Sequence, residues 1–323
     1  MRAARLLVGM LLAVVTATGA AAGEPAHDAR LTSEGQLDPV YGQGIGRVED
    51  GWIVSGTNVL GRLDDGLRET LRVTPAIPPE WAAQGFDHIG DPDVAGGFLY
   101  APLEQPDYDR GRQATARFDL TTLTLVDAVL LPQHHNSFVT VEAGIAYTTD
   151  FFDDDTLLRY DVEDGWKPLE PLRLSRGLER IQGGDVAGGA VWLSTDDDSN
   201  GVYRVDLETG RVDDVGSAGH LDGEGEGIDA TALAGGSLHM LTRDVRVTPV
   251  WLGHFEVTGP TPTTGGQAEG RNNTRAASDE VDSSWPPILV AGALALAAGA
   301  VLAAFVVIRQ ARATARDGGK PPG

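Results

Sequence analysis

Between residues 40 and 258 the apolar positions alternate or run together over a few residues. Convincing three-to-four-residue spacing, the mark of a helix with one buried face, is absent. The segments 47–56 ("RVEDGWIVSG"), 93–102 ("DVAGGFLYAP"), 140–149 ("TVEAGIAYTT"), 185–194 ("DVAGGAVWLS") and 232–241 ("ALAGGSLHML") share one form. Each reads as a strand, a tight glycine turn and a second strand. A further signature follows each pair. Arg-apolar-Asp occurs at Arg62-Leu63-Asp64, Arg117-Phe118-Asp119, Arg159-Tyr160-Asp161 and Arg204-Val205-Asp206, with His254-Phe255-Glu256 as a degraded fifth copy. The successive spacings are 55, 42, 45 and 50 residues. Four-stranded units of this length are the pattern of propeller blades. The predicted class is therefore all-β, a propeller of five blades with six as the alternative. On this reading the pentapeptide "DVAGG" recurs because it is the same turn in two equivalent blades.

Two details of the pattern carry expectations of their own. The Arg and Asp of the repeated tripeptide point to one face of a strand, so they are expected to pair with neighbours and hold structure. The fifth unit stops without an outermost strand, and residues 29–38 ("ARLTSEGQLD") have no place in the first unit. They are expected to pair with the last blade and close the ring, which removes an exposed edge.

The ends of the chain read differently. Arg2 and Arg5 precede the apolar run 6–15 and a small-residue stretch ending at Ala22, the form of a secretory signal over residues 1–22. Residues 288–308 form an uncharged stretch of 21 residues, about 30 Å as a helix and long enough to cross a bilayer. Trp285 stands before it and Arg309, Arg312, Arg316 and Lys320 after it, which places the tail 309–323 in the cytoplasm. Residues 259–287 are rich in Pro, Thr, Gly, Ser and charge and read as a flexible stalk, with a glycosylation sequon at Asn272. The expected organisation is a propeller ectodomain over 23–258, outside the cell and tethered to the membrane by one helix. Sparse lysine beside abundant Arg, Ala and Gly suggests a bacterial source.

Charge narrows the partners. The formal net charge is −22, and setting aside the basic termini makes the remainder more negative still. Such a surface repels nucleic acid and anionic lipid, and suits cations or basic partners. The chain has no cysteine, so no disulfide staples the ectodomain.

The mouth of a propeller's central channel is the usual place for chemistry, and the residues leading each inner strand converge there. These are Gln43, then His88, Asp91 and Asp93, then His134, His135 and Asn136, then Gln182 and Asp185, and finally Glu224, Glu226 and Asp229. Carboxylates, imidazoles and amides around one axis suit a divalent cation, calcium before zinc given mostly oxygen ligands. Glu226, Asp91 and Asp185 are the candidate ligands. A small polar ligand and a merely hydrated mouth remain open alternatives. The loop "DDDSNG" (196–201) has the opening of a calcium loop but reads better as a hairpin turn. There is no G-x-S-x-G, H-E-x-x-H or phosphate-loop motif, and no spacing selects a Ser-His-Asp triad.

Glu226-Gly227-Ile228 and Gln43-Gly44-Ile45 begin their units. They resemble the inner-strand starts of extracellular propellers related to the gluconolactonase and esterase-like phytase families. The Gln43 unit also resembles the Gln-Gly start of the propeller-type glutaminyl cyclases. The resemblance implies a propeller fold and, for Glu226, the role of an axial metal ligand. Two functions follow as expectations. One is a cell-surface binding module with an extracellular ligand, and the other a metal-dependent hydrolase of lactones or esters.

Overall fold

A computed structural model of the chain describes residues 27–107, 110–150, 153–217, 223–244 and 249–259. The segments expected to form a signal (1–22), most of a stalk (260–287), a membrane helix (288–308) and a tail (309–323) lie outside the described residues. No described helix is long and apolar enough to cross a membrane. Five antiparallel sheets form a five-bladed propeller. After β1 (Asp28–Leu37), blade 1 comprises β2 (Gly44–Val48), β3 (Gly51–Gly56), β4 (Val59–Asp64) and β5 (Glu69–Val73). Blade 2 has an inner strand in two pieces, β6 (His88–Ile89) and β7 (Asp93–Ala95), then β8 (Phe98–Glu104), β9 (Gln113–Asp119) and β10 (Leu125–Leu131). Blade 3 runs through β11 (Thr140–Glu142), β12 (Ile145–Asp150) and β13 (Asp153–Asp161), with β14 (Lys167–Pro168) and β15 (Leu172–Arg173) sharing its outer edge. Blade 4 is β16 (Ile181–Ala187), β17 (Ala190–Thr195), β18 (Gly201–Asp206) and β19 (Val212–Ser217). Blade 5 is β20 (Glu224–Asp229), β21 (Ser237–Arg243) and β22 (Val250–Thr258), completed by β1. That pairing runs antiparallel from Asp28 opposite Thr258 to Leu37 opposite Val250, the closure expected of residues 29–38.

The repeated signatures have physical jobs. In both copies of "DVAGG" the two glycines take positive φ, 57° and 83° at Gly96 and Gly97, and 60° and 74° at Gly188 and Gly189. Two successive positive-φ residues are what a two-residue hairpin of matching twist requires. The Asp of Arg-apolar-Asp ends the third strand and caps the turn after it. Asp119 accepts from the Thr121 and Thr122 N–H groups, Asp206 from those of Glu208 and Thr209, and Asp64 from those of Gly66 and Arg68. The Arg reaches the fourth strand, as in Arg117 to Asp127 and Arg204 to Asp213. Arg117 also lies 4.4 Å over the Phe98 ring. Apolar faces pack from blade to blade. Ile53, Leu60, Ile89, Leu99 and Phe118 fill one seam, and Trp192, Val202, Leu238, Met240 and Phe255 fill another. Each such side chain contributes roughly 1.5–3 kcal/mol when fully buried.

Polar clasps join the inner strands in sequence. Asp93 accepts the Val141 N–H at 2.7 Å, and Thr140 Oγ1 accepts that of Val186 at 3.0 Å. Asp185 accepts the Ala230 N–H at 2.7 Å, and Asp229 that of Arg47 at 2.8 Å. In every case the acceptor of one blade takes the N–H one position past the equivalent residue of the next. Gly46 holds that position in blade 1. The Asp of "DVAGG" is therefore the clasp, and the two glycines are its turn.

One residue crosses the axis. Asp91 sits between β6 and β7, and is buried. Its Oδ1 accepts the Ile45 N–H at 2.9 Å, and its Oδ2 those of Gly184 at 3.1 Å and Ile228 at 3.2 Å. Its own N–H donates to the Ser137 carbonyl at 2.8 Å. A blade 2 residue thus bonds to blades 1, 3, 4 and 5. Glycine is required around it, since a Cβ at Gly227 would lie 2.2 Å from Asp91 Oδ1, and one at Gly44 2.4 Å from Asp91 Cα.

Asp91→Ala should therefore strand three buried N–H groups, at about 1–3 kcal/mol each. For a domain of this size the melting temperature should fall by at least about 6 °C. Gly227→Ala should be comparably damaging. Asp127→Ala, which removes an exposed partner on β10, should change stability by less than about 1 kcal/mol. Thermal melts followed by circular dichroism measure all three.

Candidate ligand site at the mouth of the ring

The leading residues of the inner strands separate into three tiers. The lowest tier is the ring of clasps, which holds Asp93, Asp185 and Asp229. The middle tier is Asp91 with its glycines. Only the upper tier opens towards solvent, and irregular strands build it. In β16 the register shifts between Ile181 and Gly183, placing Gln182 in a bulge. In β20 it shifts between Gly225 and Ile228, which places Glu226 and Gly227 there. Bulges re-aim side chains that a regular ladder would direct elsewhere. The break between β6 and β7 is the corresponding irregularity of blade 2.

Glu226 is 5% exposed, and none of the described hydrogen bonds ends on its carboxylate. Burial pushes this carboxyl well above the ordinary range, the neighbouring charge of Glu224 adds to the effect, and Arg243 opposes it. Burial likewise pushes the Asp91 carboxyl upward, against the three N–H groups that favour its charged form.

His88 lies partly exposed with Nε2 at 2.5 Å from Gln43 Oε1. The Gln43 amide nitrogen donates to the Gly42 carbonyl at 2.8 Å, which turns Oε1 towards the ring. An amide oxygen only accepts, so the proton sits on Nε2 and the neutral ring keeps Nδ1 as an acceptor. Burial holds the His88 imidazole below its ordinary value, although Glu104 and Asp87 pull the other way.

His135 is buried, with Nδ1 at 2.9 Å from Ser137 Oγ and 3.6 Å from Glu104 Oε1. Glu104 Oε1 also accepts the Asn136 N–H at 3.0 Å. Tyr160 donates to Gln133 at 2.8 Å, and Gln133 donates to the His135 carbonyl, so this loop is held from below. His134 points outward to Asp150. Glu224 lies opposite Arg243 in the β20–β21 register.

Two residues of the mouth escaped the sequence reading, Glu104 and Arg243. Each ends the second strand of its blade, "FLYAPLE" and "SLHMLTR". A charged residue closing an apolar run at the same place in the unit was the available signal. Arg243 acts electrostatically on both Glu226 and His88, and no described carboxylate forms an ion pair with it.

The candidate cation ligands are not gathered in one place. Asp91 and Asp185 direct their oxygens to N–H groups of neighbouring blades, whereas none of the described hydrogen bonds ends on the Glu226 carboxylate. No group of three His, Cys, Asp or Glu suited to a metal ion occurs among the described residues. In "DDDSNG", Asp197 organises the β17–β18 turn. Burial works to raise its carboxyl, but hydrogen bonds from Tyr203, Ser199 and the Gly201 N–H outweigh it and hold it at about 2.

The fold and mouth together define a five-bladed propeller with a polar opening at one end of its axis. No protein-family model matches the chain, and no curated protein matches its sequence. Among solved structures, the glutaminyl cyclase of Myxococcus xanthus superposes with a TM-score of 0.55 at 12% identity, covering 73% of this chain and 99% of that one. The resemblance to propeller-type glutaminyl cyclases thus holds at the level of the fold. The hydrazine synthase of Kuenenia stuttgartiensis (TM-score 0.39, 13% identity, 65% of this chain and 58% of that one) and the Pan2 WD40 domain of Neurospora crassa (0.36, 9%, 65% and 62%) are more distant.

His88 supplies a pH test. Its folded value lies below the unfolded value of about 6.5. As pH falls below that value, the unfolded chain takes up the proton first. The stability tied to neutral His88 is complete above about pH 6.5 and is lost progressively below it. His88→Gln should therefore lose less melting temperature than the wild type between pH 7 and pH 5.

Proposed function

We propose that the chain is a binding propeller held outside the cell by the segment 288–308, and that its mouth takes up a small polar organic ligand. The observation that carries this reading is the grouping of three polar functions, linked electrostatically through Arg243, on which none of the described hydrogen bonds ends. They are the Glu226 carboxyl, the lone pair of His88 Nδ1 and the Arg243 guanidinium. Buried polar groups normally find protein partners, and perturbed titratable groups cluster where ligands bind. Burial favours the protonated form of Glu226, which offers an O–H donor, while His88 offers an acceptor and Arg243 a cation. Gln43 fixes the histidine tautomer.

The test is a calorimetric titration of the full-length chain with neutral sugars, primary amines and amino-acid amides, none carrying a carboxylate. Saturable binding is expected for at least one, weakened about tenfold in Glu226→Gln or His88→Gln, as for loss of one hydrogen bond to a charged or desolvated group. A panel without a saturable ligand, or binding indifferent to both substitutions, overturns the reading.

A second reading is acyl transfer, which the raised carboxyl of Glu226 favours. A carboxyl whose protonated form burial favours suits proton transfer at a reacting carbonyl. In the reaction named for the Myxococcus structure, the α-amino nitrogen of an N-terminal glutamine attacks its own side-chain amide carbon. One C–N bond forms, the other breaks, and ammonia leaves. Glu226 would pass a proton to that leaving nitrogen and recover one from the attacking amine. Ammonia release from a Gln-initiated dipeptide, lost in Glu226→Gln, is the expected result on this reading. No release above the uncatalysed rate removes it.

A further inference from the structure

Beside the mouth lies a cavity of about 280 Å3, formed by the turn entering β2, the β3–β4 turn and the end of β21. It is small beside a drug-sized pocket. Gln43 and Arg243 both line it, so it adjoins the ring of groups described above. Its polar lining consists mainly of donors. Asn58 uses its side-chain oxygen on the N–H groups of Ala76 at 3.0 Å and Ile77 at 2.8 Å, which leaves its NH2 group without a described acceptor. The Arg243 stem passes over Gly42, where a Cβ would stand 3.1 Å from Arg243 Cδ. Glycine there makes room for the guanidinium. Pro39, Val40 and Val59 supply apolar surface, and Val40 is 39% exposed, unusual among the large hydrophobics of this chain.

A guanidinium that no described carboxylate pairs, with an amide donor at hand and an apolar wall, is the complement of one chemical group. We propose that this cavity is a subsite for a carboxylate attached to a short apolar body, with Arg243 pairing the charge and Asn58 donating to it. The guanidinium fork matches the two oxygens of a carboxylate. In a chain so acidic, a cation facing a cavity with no ion pair among the described residues selects an anion that the remaining surface repels. The proposal rests on the mouth being a ligand site and names the part of the ligand that lies beside it. The carboxylate has two sources, a free small acid or the C-terminus of a peptide.

The test uses the full-length chain and four probes, namely butyrate, butyramide, and tetra-alanine with a free or an amidated C-terminus. Binding is read by calorimetry. Saturable binding is expected for butyrate, for the free-acid peptide, or for both, and the pattern identifies the source. The corresponding amides should bind at least about tenfold more weakly, and Arg243→Gln should lose a similar factor. Arg243→Lys, which keeps the charge and loses the fork, should fall between. Melting curves establish that the variants fold. Equal binding of acids and amides, undiminished binding by Arg243→Gln, or no saturation by either acid overturns the proposal. Such a failure is separable from failure of the mouth reading, which is measured with ligands that carry no carboxylate.

Discussion

The propeller depends on one buried carboxylate. Asp91 accepts N–H groups from blades 1, 4 and 5 and ties its own main chain to blade 3. A ring of five sheets has an inherent difficulty at its centre. The leading ends of the inner strands present N–H groups that no neighbouring strand can satisfy, because the strands diverge there. A carboxylate, with two oxygens and four lone pairs, can serve several donors from one point. That solution demands close approach, which explains glycine at positions 44, 183 and 227, where any Cβ would collide with Asp91 or the strands around it. Below, the clasps of Asp93, Thr140, Asp185 and Asp229 repeat the same chemistry at four of the five seams.

This arrangement decides what the mouth can be. With Asp91 across the axis, the floor of the mouth is hydrogen-bonded main chain. The inner strands contribute side chains to it where they bulge, at Gln182 and Glu226, or where they begin, at Gln43 and His88. Floor and rim are mechanically joined. The Ser194 hydroxyl donates to the main-chain carbonyl of Glu226, and the Gly227 N–H donates to the carbonyl of Gln43 at 3.1 Å. A group perturbed by burial keeps its perturbation only if its surroundings stay fixed, and these bonds fix them.

Much of the fold was legible in the sequence because repetition is a strong signal. The glycine turns, the Arg-apolar-Asp strands and the orphan segment 29–38 led to five blades and to the closure by β1. The site was legible in part. Gln43, His88, Gln182 and Glu226 stand at the leading ends or bulges of the inner strands. Asp93, Asp185 and Asp229 belong to the clasps, and Asp91 to the axis. Sequence could not separate these carboxylates, because the difference between Asp185 and Glu226 is the N–H group of Ala230 that meets one and not the other. That partner comes from the neighbouring blade, 45 residues away. Arg243 and Glu104 were missed for a related reason. They close second strands, which run up to the mouth antiparallel to the inner ones, and only the leading ends of inner strands were considered.

Repetition itself separates structure from function here. The Asp of "DVAGG" occurs in equivalent blades because the seams that follow them need the same acceptor. No such requirement applies at the mouth, where the five blades contribute Gln43, His88, His135, Gln182 and Glu226, five residues with three chemistries. A ring that needed only hydration there would have no reason to differ so much from blade to blade, or to break its inner strands at Gln182 and Glu226. Bulges disrupt the ladder and leave residues unpaired. In a chain without disulfides, where packing and hydrogen bonds alone hold the blades, that cost points to selection for what the bulged side chains face.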